Sequence, residues 1–235
     1  MELQIAAAKI RKYATSNSGD TVEVIERPQG GMSAVMADGQ SSGKGAKWIS
    51  TLVVRKVITL LADGVRDGAA ARAASDSLYS DREGKVSSTL NIITVDQETQ
   101  TLVITRNNPS PALLAVQDDI RLLNAPSEAI GTRRGIRPVI TEFPLQAGIT
   151  VVVFTDGMVH AGERTGEKLD ILASMQTLLD CEAPSAEFIA ESLLDHALKL
   201  DRNRPVDDIS LVVARITEEG KDEIRRMTVR LPLEG

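Results

Sequence analysis

Aromatic side chains are nearly missing from this chain: Phe, Trp and Tyr together make up 3% of its 235 residues. A core must therefore be built from Val, Ile, Leu and Ala, and an aromatic platform for stacking the bases of single-stranded nucleic acid is improbable. Cysteine occurs once, at Cys181, so neither an internal disulfide framework nor a cysteine-rich zinc site can form. The two histidines, His160 and His196, lack the paired spacing of a zinc site and read as a surface residue and a polar helix-face residue. No stretch reaches the roughly 18 uninterrupted apolar residues of a membrane span, and Met1 leads into polar, charged sequence. The expectation is a cytoplasmic protein with no membrane partner. A formal net charge of −6 argues against a nucleic-acid partner. The Gly-Lys-Ser or Gly-Lys-Thr of a nucleotide-binding loop is also missing, although Gly43 and Gly45 flank Lys44.

What is present is enough apolar sequence, 42% of the residues, to bury a sizeable core, and no long linker interrupts it. One domain, 1–235, is expected. Strand patterns run over Leu3–Tyr13, Val22–Glu26 and Gly31–Ala37, then helical spacing over Lys44–Ala62 and Ala69–Leu78, with Trp48 packed at the first helix start. Val86–Val95 and Thr101–Arg106 read as a hairpin, and Ala112–Val116 with Ile120–Leu123, around Asp118-Asp119, as a second. Val139–Phe143 and Ile149–Phe154 follow, linked through Pro144 and Gly148. Helices are expected over Gly166–Leu179 and Ser185–Leu200, with Ser185 as N-cap, then strands over Ile209–Ile216 and, as a hairpin-like return, Glu223–Leu233. This order is not the alternation of a parallel βαβ sheet. It predicts an α+β fold of two antiparallel sheets packed face to face, with a helix pair on each outer face.

Two acidic turns each follow a run of β-forming residues: Asp38-Gly39 after SAVMA, and Asp156-Gly157 after ITVVVFT. Asp207-Asp208 stands just before a third run, ISLVVARI. Carboxylates at strand ends, with a glycine that lets backbone come close, are what a hard divalent cation needs: oxygen ligands from several segments held by a rigid sheet. Asp63-Gly64 is an internal control, since it repeats Ala-Asp-Gly at the end of a helical pattern, where glycine is an ordinary stop. No function is assigned to Asp63. Of the two adjacent carboxylates at 207 and 208 only one can point cleanly into a site, and Asp207 is favoured.

Asp20 in NSGDTVEV, Asp38 in VMADGQSSGKGA, Asp156 in VVVFTDGMVHAGE and Asp207 in PVDDISLVVARI resemble, in order, the four acidic motifs of the PP2C class of metal-dependent protein phosphatases. The likeness is closest to the bacterial branch of sporulation protein E and the small stressosome phosphatases, and RNNPSPALL is similar to a turn of that branch. The resemblance implies a four-layer αββα sandwich and a centre of two Mn²⁺ or Mg²⁺ ions that hydrolyses phosphoserine or phosphothreonine through a metal-bound water. It implies Asp38 as the bridging carboxylate, the Gly39 carbonyl and Asp20 on the second metal, and Asp156 and Asp207 on the first. The eukaryotic class uses an early arginine for the substrate phosphate; here Lys44 or Lys47 would supply that charge. A phosphorylated regulatory protein, such as an anti-sigma-factor antagonist or a stressosome component, is the implied partner. Two other readings remain: a catalytically silent phosphoprotein-binding module, and a metal-dependent hydrolase of small phosphate esters.

Overall fold

The computed structural model describes residues 1–117, 119–218 and 224–233. Its strands are β1 (Glu2–Ile10), β2 (Asp20–Glu26), β3 (Gly31–Gly39), β4 (Ser88–Asp96), β5 (Thr101–Asn107), β6 (Ala112–Val116), β7 (Asp119–Leu123), β8 (Val139–Pro144), β9 (Ile149–Phe154) and β10 (Ile209–Thr217). They form two five-stranded sheets, one in the order β1-β10-β9-β6-β7 and the other in the order β2-β3-β4-β5-β8. Every pairing is antiparallel.

Helices α1 (Gly43–Ala62) and α2 (Asp67–Arg82) cover the second sheet, and α4 (Ile171–Leu179) and α5 (Ala186–Leu200) cover the first. A short helix, α3 (Asp156–His160), sits at the end of β9. Both faces of the central strands are thus dry, which is why ITVVVF and SLVVA are apolar at consecutive positions rather than alternately. On β3, Ala34 and Met36 enter the layer between the sheets, while Val35 and Ala37 pack under α1 and α2. On β10, Val212 and Ala214 face between the sheets, and Leu211 and Val213 face the other helix pair. Successive side chains point to opposite faces of a strand, so one run feeds two cores. Small Ala and branched Val fill these layers without the bulk that aromatics would bring.

The expected four layers are present, and the differences lie at the edges. β8 and β9 belong to different sheets, so the Pro144-to-Gly148 connection is a crossing between layers. α4 starts at Ile171 rather than Gly166, because Gly166 is left-handed at φ +80° and the Asp170 carboxylate accepts from the Ala173 N–H as N-cap. Ser185 caps α5 as expected, accepting from the Phe188 N–H at 3.1 Å. Trp48 is not packed away: it is 46% exposed, with the Arg82 guanidinium 4.1 Å from its ring centroid. The return expected over Glu223–Leu233 forms no strand among its described residues, and Val229, Leu231 and Leu233 lie exposed. Glu223 and Asp118 lie outside the described residues.

Two glycines set the spacing at one end of the sandwich. A Cβ on Gly39 would stand 2.1 Å from the Ala46 carbonyl oxygen in the first turn of α1. A Cβ on Gly157 would stand 2.1 Å from the Asp208 carbonyl oxygen, just before β10. Each obstacle is backbone, which cannot swing aside. Gly39→Ala and Gly157→Ala should therefore each destabilise the protein by about 1–3 kcal/mol, seen as a fall in Tm of several degrees. Gly45→Ala, in α1 with no atom within 4 Å of the added Cβ, should stabilise it by roughly 0.5–1 kcal/mol. An unchanged Tm for Gly39→Ala would contradict the close approach.

Candidate metal centre

The same alternation that fills the inter-sheet core turns polar at one end. The inward positions of β2 pass from Val24 and Val22 to Asp20, and those of β3 from Ala34 and Met36 to Asp38. On β4 the series Val95, Ile93 reaches Asn91; from β9 Val151 and Val153 lead to Thr155, and on β10 Ala214 and Val212 lead back to Ser210 and Asp208. Asp20 and Asp38 are direct cross-strand partners. Thr155 ties the sheets together: its hydroxyl oxygen accepts from the Ser210 N–H at 3.0 Å and lies 3.3 Å from Asp20 Oδ2, to which it donates.

Asp156 opens α3 directly after Thr155 and is exposed, and Asp207 is half-buried on the loop entering β10. Its neighbour Asp208 is buried and fully engaged: Oδ1 accepts from the Lys12 N–H at 2.7 Å and Oδ2 from the Gly19 N–H at 2.6 Å. Asp208 thus pins the β1–β2 connection to the start of β10, and Asp207 is the carboxylate of the pair that faces Asp38 and Asp156 electrostatically. Asp63 sits at the C-terminus of α1, exposed, far along the chain from these strand ends.

Like charge dominates the cluster. Burial pushes the Asp20 carboxyl up to about 6. Burial, and then the charges of Asp20 and Asp156, push Asp38 up to about 9. Burial and then Asp207 raise Asp156 as well. No ion pair to Asp20, Asp38, Asp156 or Asp207 forms among the described residues. Asp20 Oδ1 and Ser210 Oγ are buried without a hydrogen-bond partner. No three described His, Cys, Asp or Glu side chains are drawn tightly enough together to hold an ion as they stand. In donor chemistry the set suits a hard dication: carboxylate oxygens, no sulfur and no imidazole.

The two candidate lysines differ. Lys47 Nζ donates to the Asp20 carbonyl at 2.7 Å and to Thr21 Oγ1 at 2.8 Å, and burial followed by the charge of Lys9 pushes its pKa down to about 8. Lys9 Nζ donates to the same carbonyl at 3.3 Å. Lys47 is therefore bound to the backbone that carries Asp20. Lys44, in the first turn of α1, is exposed.

A sequence model of the family described as Stage II sporulation protein E matches residues 28–217. The chain belongs to the SpoIIE family. The PP2C phosphatase domain and a fragment of the regulatory domain of SpoIIE from Bacillus subtilis superposes with a TM-score of 0.79 at 19% identity, over 92% of this chain and 64% of that longer one. The catalytic domain of the serine/threonine phosphatase PstP in complex with two manganese ions gives 0.71 at 19% identity, over 92% and 99%. RsbX in complex with magnesium gives 0.69 at 14% identity, over 92% and 96%. The fold is that of the PP2C phosphatases. No curated protein matches the chain at a significant level of sequence similarity. No helix among the described residues is long and apolar enough to cross a membrane.

Within this SpoIIE-family site, some contributors were given no role by the motifs that contain them or lie outside any motif. Thr155 joins the sheets through Asp20 and accepts from the Ser210 N–H within its own sheet, and buried Asn91 leaves both side-chain polar atoms without a partner among the described residues. The Arg106–Leu114 turn is held from inside: Arg106 Nη1 donates to the Asn108 and Ser110 carbonyls at 2.7 and 2.9 Å. Asn108 Nδ2 in turn donates to the Phe154 carbonyl at 3.1 Å, one residue before Thr155. A polar residue at an inward position of an apolar strand, such as Asn91 in TLNIITV, is the one signal that could have revealed this framework.

The raised carboxyls have a stability consequence. Between the unfolded value near 3.8 and about 9 the folded protein binds more protons at Asp20 and Asp38 than the unfolded chain does. Stability is therefore present in full below that window and is lost as pH rises through it. In chelator, Tm should fall across this window, and Asp38→Asn, which cannot titrate, should flatten most of the fall. A flat wild-type profile from acid to alkaline pH would refute the electrostatic account.

Proposed function

We propose that this chain is a metal-dependent protein serine/threonine phosphatase acting on a phosphorylated regulatory protein. The observation that carries the proposal is the gathering of Asp20, Asp38, Asp156 and Asp207 at one end of the sandwich with no cationic side chain ion-paired to them among the described residues. Such a cluster is unfavourable alone and becomes favourable around dications. When bound, two Mn²⁺ or Mg²⁺ ions supply a nucleophilic water at neutral pH and offset the charge of the phosphate. In this reading Asp38 would contribute to both positions, Asp20 and the Gly39 carbonyl would help to hold one ion, and Asp156 and Asp207 would help to hold the other. Thr155 and Asp208 fix the strand ends, so each carboxylate is held before substrate arrives. No Ser or Cys nucleophile is required.

Asp156 is exposed and Asp207 half-buried, so the mouth is open, as a phosphoserine or phosphothreonine on a protein requires. The relatives bound to manganese and magnesium support the choice of metal. An anti-sigma-factor antagonist or a stressosome component fits as the phosphorylated partner. Lys44, with no internal bond to hold it, can offer a point charge to the incoming phosphate; Lys47 acts on the position of Asp20.

Purified protein should hydrolyse an aryl phosphate and phosphoserine peptides with Mn²⁺ or Mg²⁺, stop in chelator and recover on return of the metal. Asp38→Asn, Asp156→Asn and Asp207→Asn should each lower kcat by about 100-fold or more while the protein stays folded, and Asp63→Asn should leave it unchanged. Activity that survives exhaustive chelation, or full activity in Asp38→Asn, would sink the mechanism and favour a phosphoprotein-binding module. Lys44→Ala should raise KM with kcat preserved, whereas Lys47→Ala should lower Tm.

A further inference from the structure

A cavity of about 590 Å³ is lined by Arg164, Thr165, Arg202 and Arg204. Three guanidinium groups around one hollow stand out in a chain of net charge −6. None of the three is ion-paired to a carboxylate among the described residues. Of the nearby acids, Glu163 pairs with His160 at 3.2 Å and Lys168 at 3.3 Å, while buried Asp201 accepts from the Gly162 N–H at 2.9 Å through Oδ1 and leaves Oδ2 without a partner among the described residues.

The hollow is built rather than incidental. Arg164 Nη2 donates to the Asp201 carbonyl at 3.0 Å and to the Arg204 carbonyl at 3.3 Å, fixing the turn that carries the other two arginines. Arg202 and Asn203 both adopt left-handed backbone, at φ +53° and +56°, which L side chains do not take without cost. Thr165 Oγ1 donates to the Gly162 and Leu200 carbonyls, each at 2.9 Å. The Arg204 guanidinium lies 5.3 Å from the Tyr13 ring centroid, and the Tyr13 N–H donates to the Pro205 carbonyl at 3.0 Å. Held guanidinium groups lose less freedom when an anion arrives.

Its place in the fold links it to the phosphate site. Arg204 precedes Asp207 by three residues, so their Cα atoms are at most about 11 Å apart. Arg164 belongs to the 3₁₀ turn Glu163–Thr165 that follows α3, whose first residue is Asp156. An extended peptide advances about 3.3 Å per residue.

Resting on the phosphatase reading above, we propose that the Arg164–Arg202–Arg204 hollow docks acidic side chains of the protein substrate, about two to four residues from the phosphorylated serine or threonine. The carboxylates of the substrate pair with guanidinium groups that have no carboxylate of their own. The dephosphorylating end and the docking end then read one extended segment, and phosphosites without neighbouring acids are poor substrates.

The test uses the full chain with Mn²⁺, a phosphoserine peptide flanked by glutamates, the same peptide with glutamines, and an aryl phosphate. Wild type should favour the glutamate peptide by about tenfold in kcat/KM, chiefly through KM, with the preference fading as salt rises. Arg202→Glu and Arg204→Gln should abolish that preference and leave aryl phosphate hydrolysis unchanged. Binding of a labelled, unphosphorylated glutamate peptide in chelator, followed by fluorescence anisotropy, should weaken in the same variants. Equal kcat/KM for the two peptides in wild type would overturn the proposal, as would variants that lower both equally, or preferential binding of DNA over the peptide. If the chain hydrolyses none of the substrates yet binds the glutamate peptide through these arginines, the phosphatase reading fails and the docking surface stands.

Discussion

Repulsion among carboxylates gathered at the mouth of a dry sandwich is the constraint on which the site depends. Two unit charges about 4 Å apart repel by about 4 kcal/mol at an effective dielectric constant near 20, and here four aspartates share one end of the inter-sheet layer. The fold tolerates them because the cost is spread. Burial favours the neutral carboxyl strongly at Asp38, pushed up to about 9, and less at Asp20, pushed up to about 6, while Asp207 is half-buried and Asp156 exposed. The rest of the molecule is apolar and closely layered, so the strand ends cannot drift apart to relieve the strain.

Neutral and backbone groups do the holding. Asp208 gives both oxygens to backbone N–H donors, Thr155 links the sheets, and Arg106 and Asn108 anchor the neighbouring turn to the end of β9. A cationic side chain placed among the four aspartates would have satisfied them and left nothing for a metal. Lys9 and Lys47 approach from behind and bond the Asp20 carbonyl, stabilising the strand start without pairing with its carboxylate.

The sheets and helices were legible because dry strands and amphipathic helices leave short-range patterns: the consecutive apolar residues of ITVVVF or the spacing along Lys44–Ala62 need no knowledge of partners. Asp38 could be told from Asp63 by the same means, since one ends a strand pattern and the other a helical one. The supporting framework was not legible. Thr155, Ser210 and Asn108 lie inside stretches that resemble the family's motifs, yet they matter through partners that only the folded chain brings near, and no local pattern names those partners. Local pattern also misled near the C-terminal end: the alternation at Met227, Val229 and Leu231 reads as a strand, yet these residues pair into neither sheet among the described residues. Gly39 was legible for its smallness, but the structure supplies a further reason, the carbonyl of Ala46, which leaves no room for a Cβ.

β1 pairs with β10 along their whole length, Glu2 opposite Thr217 and Ile10 opposite Ile209. β1 therefore waits for β10, the last strand of its sheet in chain order, before it has a neighbour. The carboxylate that pins the β1–β2 connection, Asp208, comes from that same late segment. Contacts so distant in sequence form slowly and only once the intervening chain exists. A nascent chain that has emerged only as far as β9 can already pair Asp20 with Asp38 across β2 and β3, but it lacks Asp207 and the Asp208 carboxylate that pins the β1–β2 connection, so the full carboxylate cluster exists only once β10 has been made.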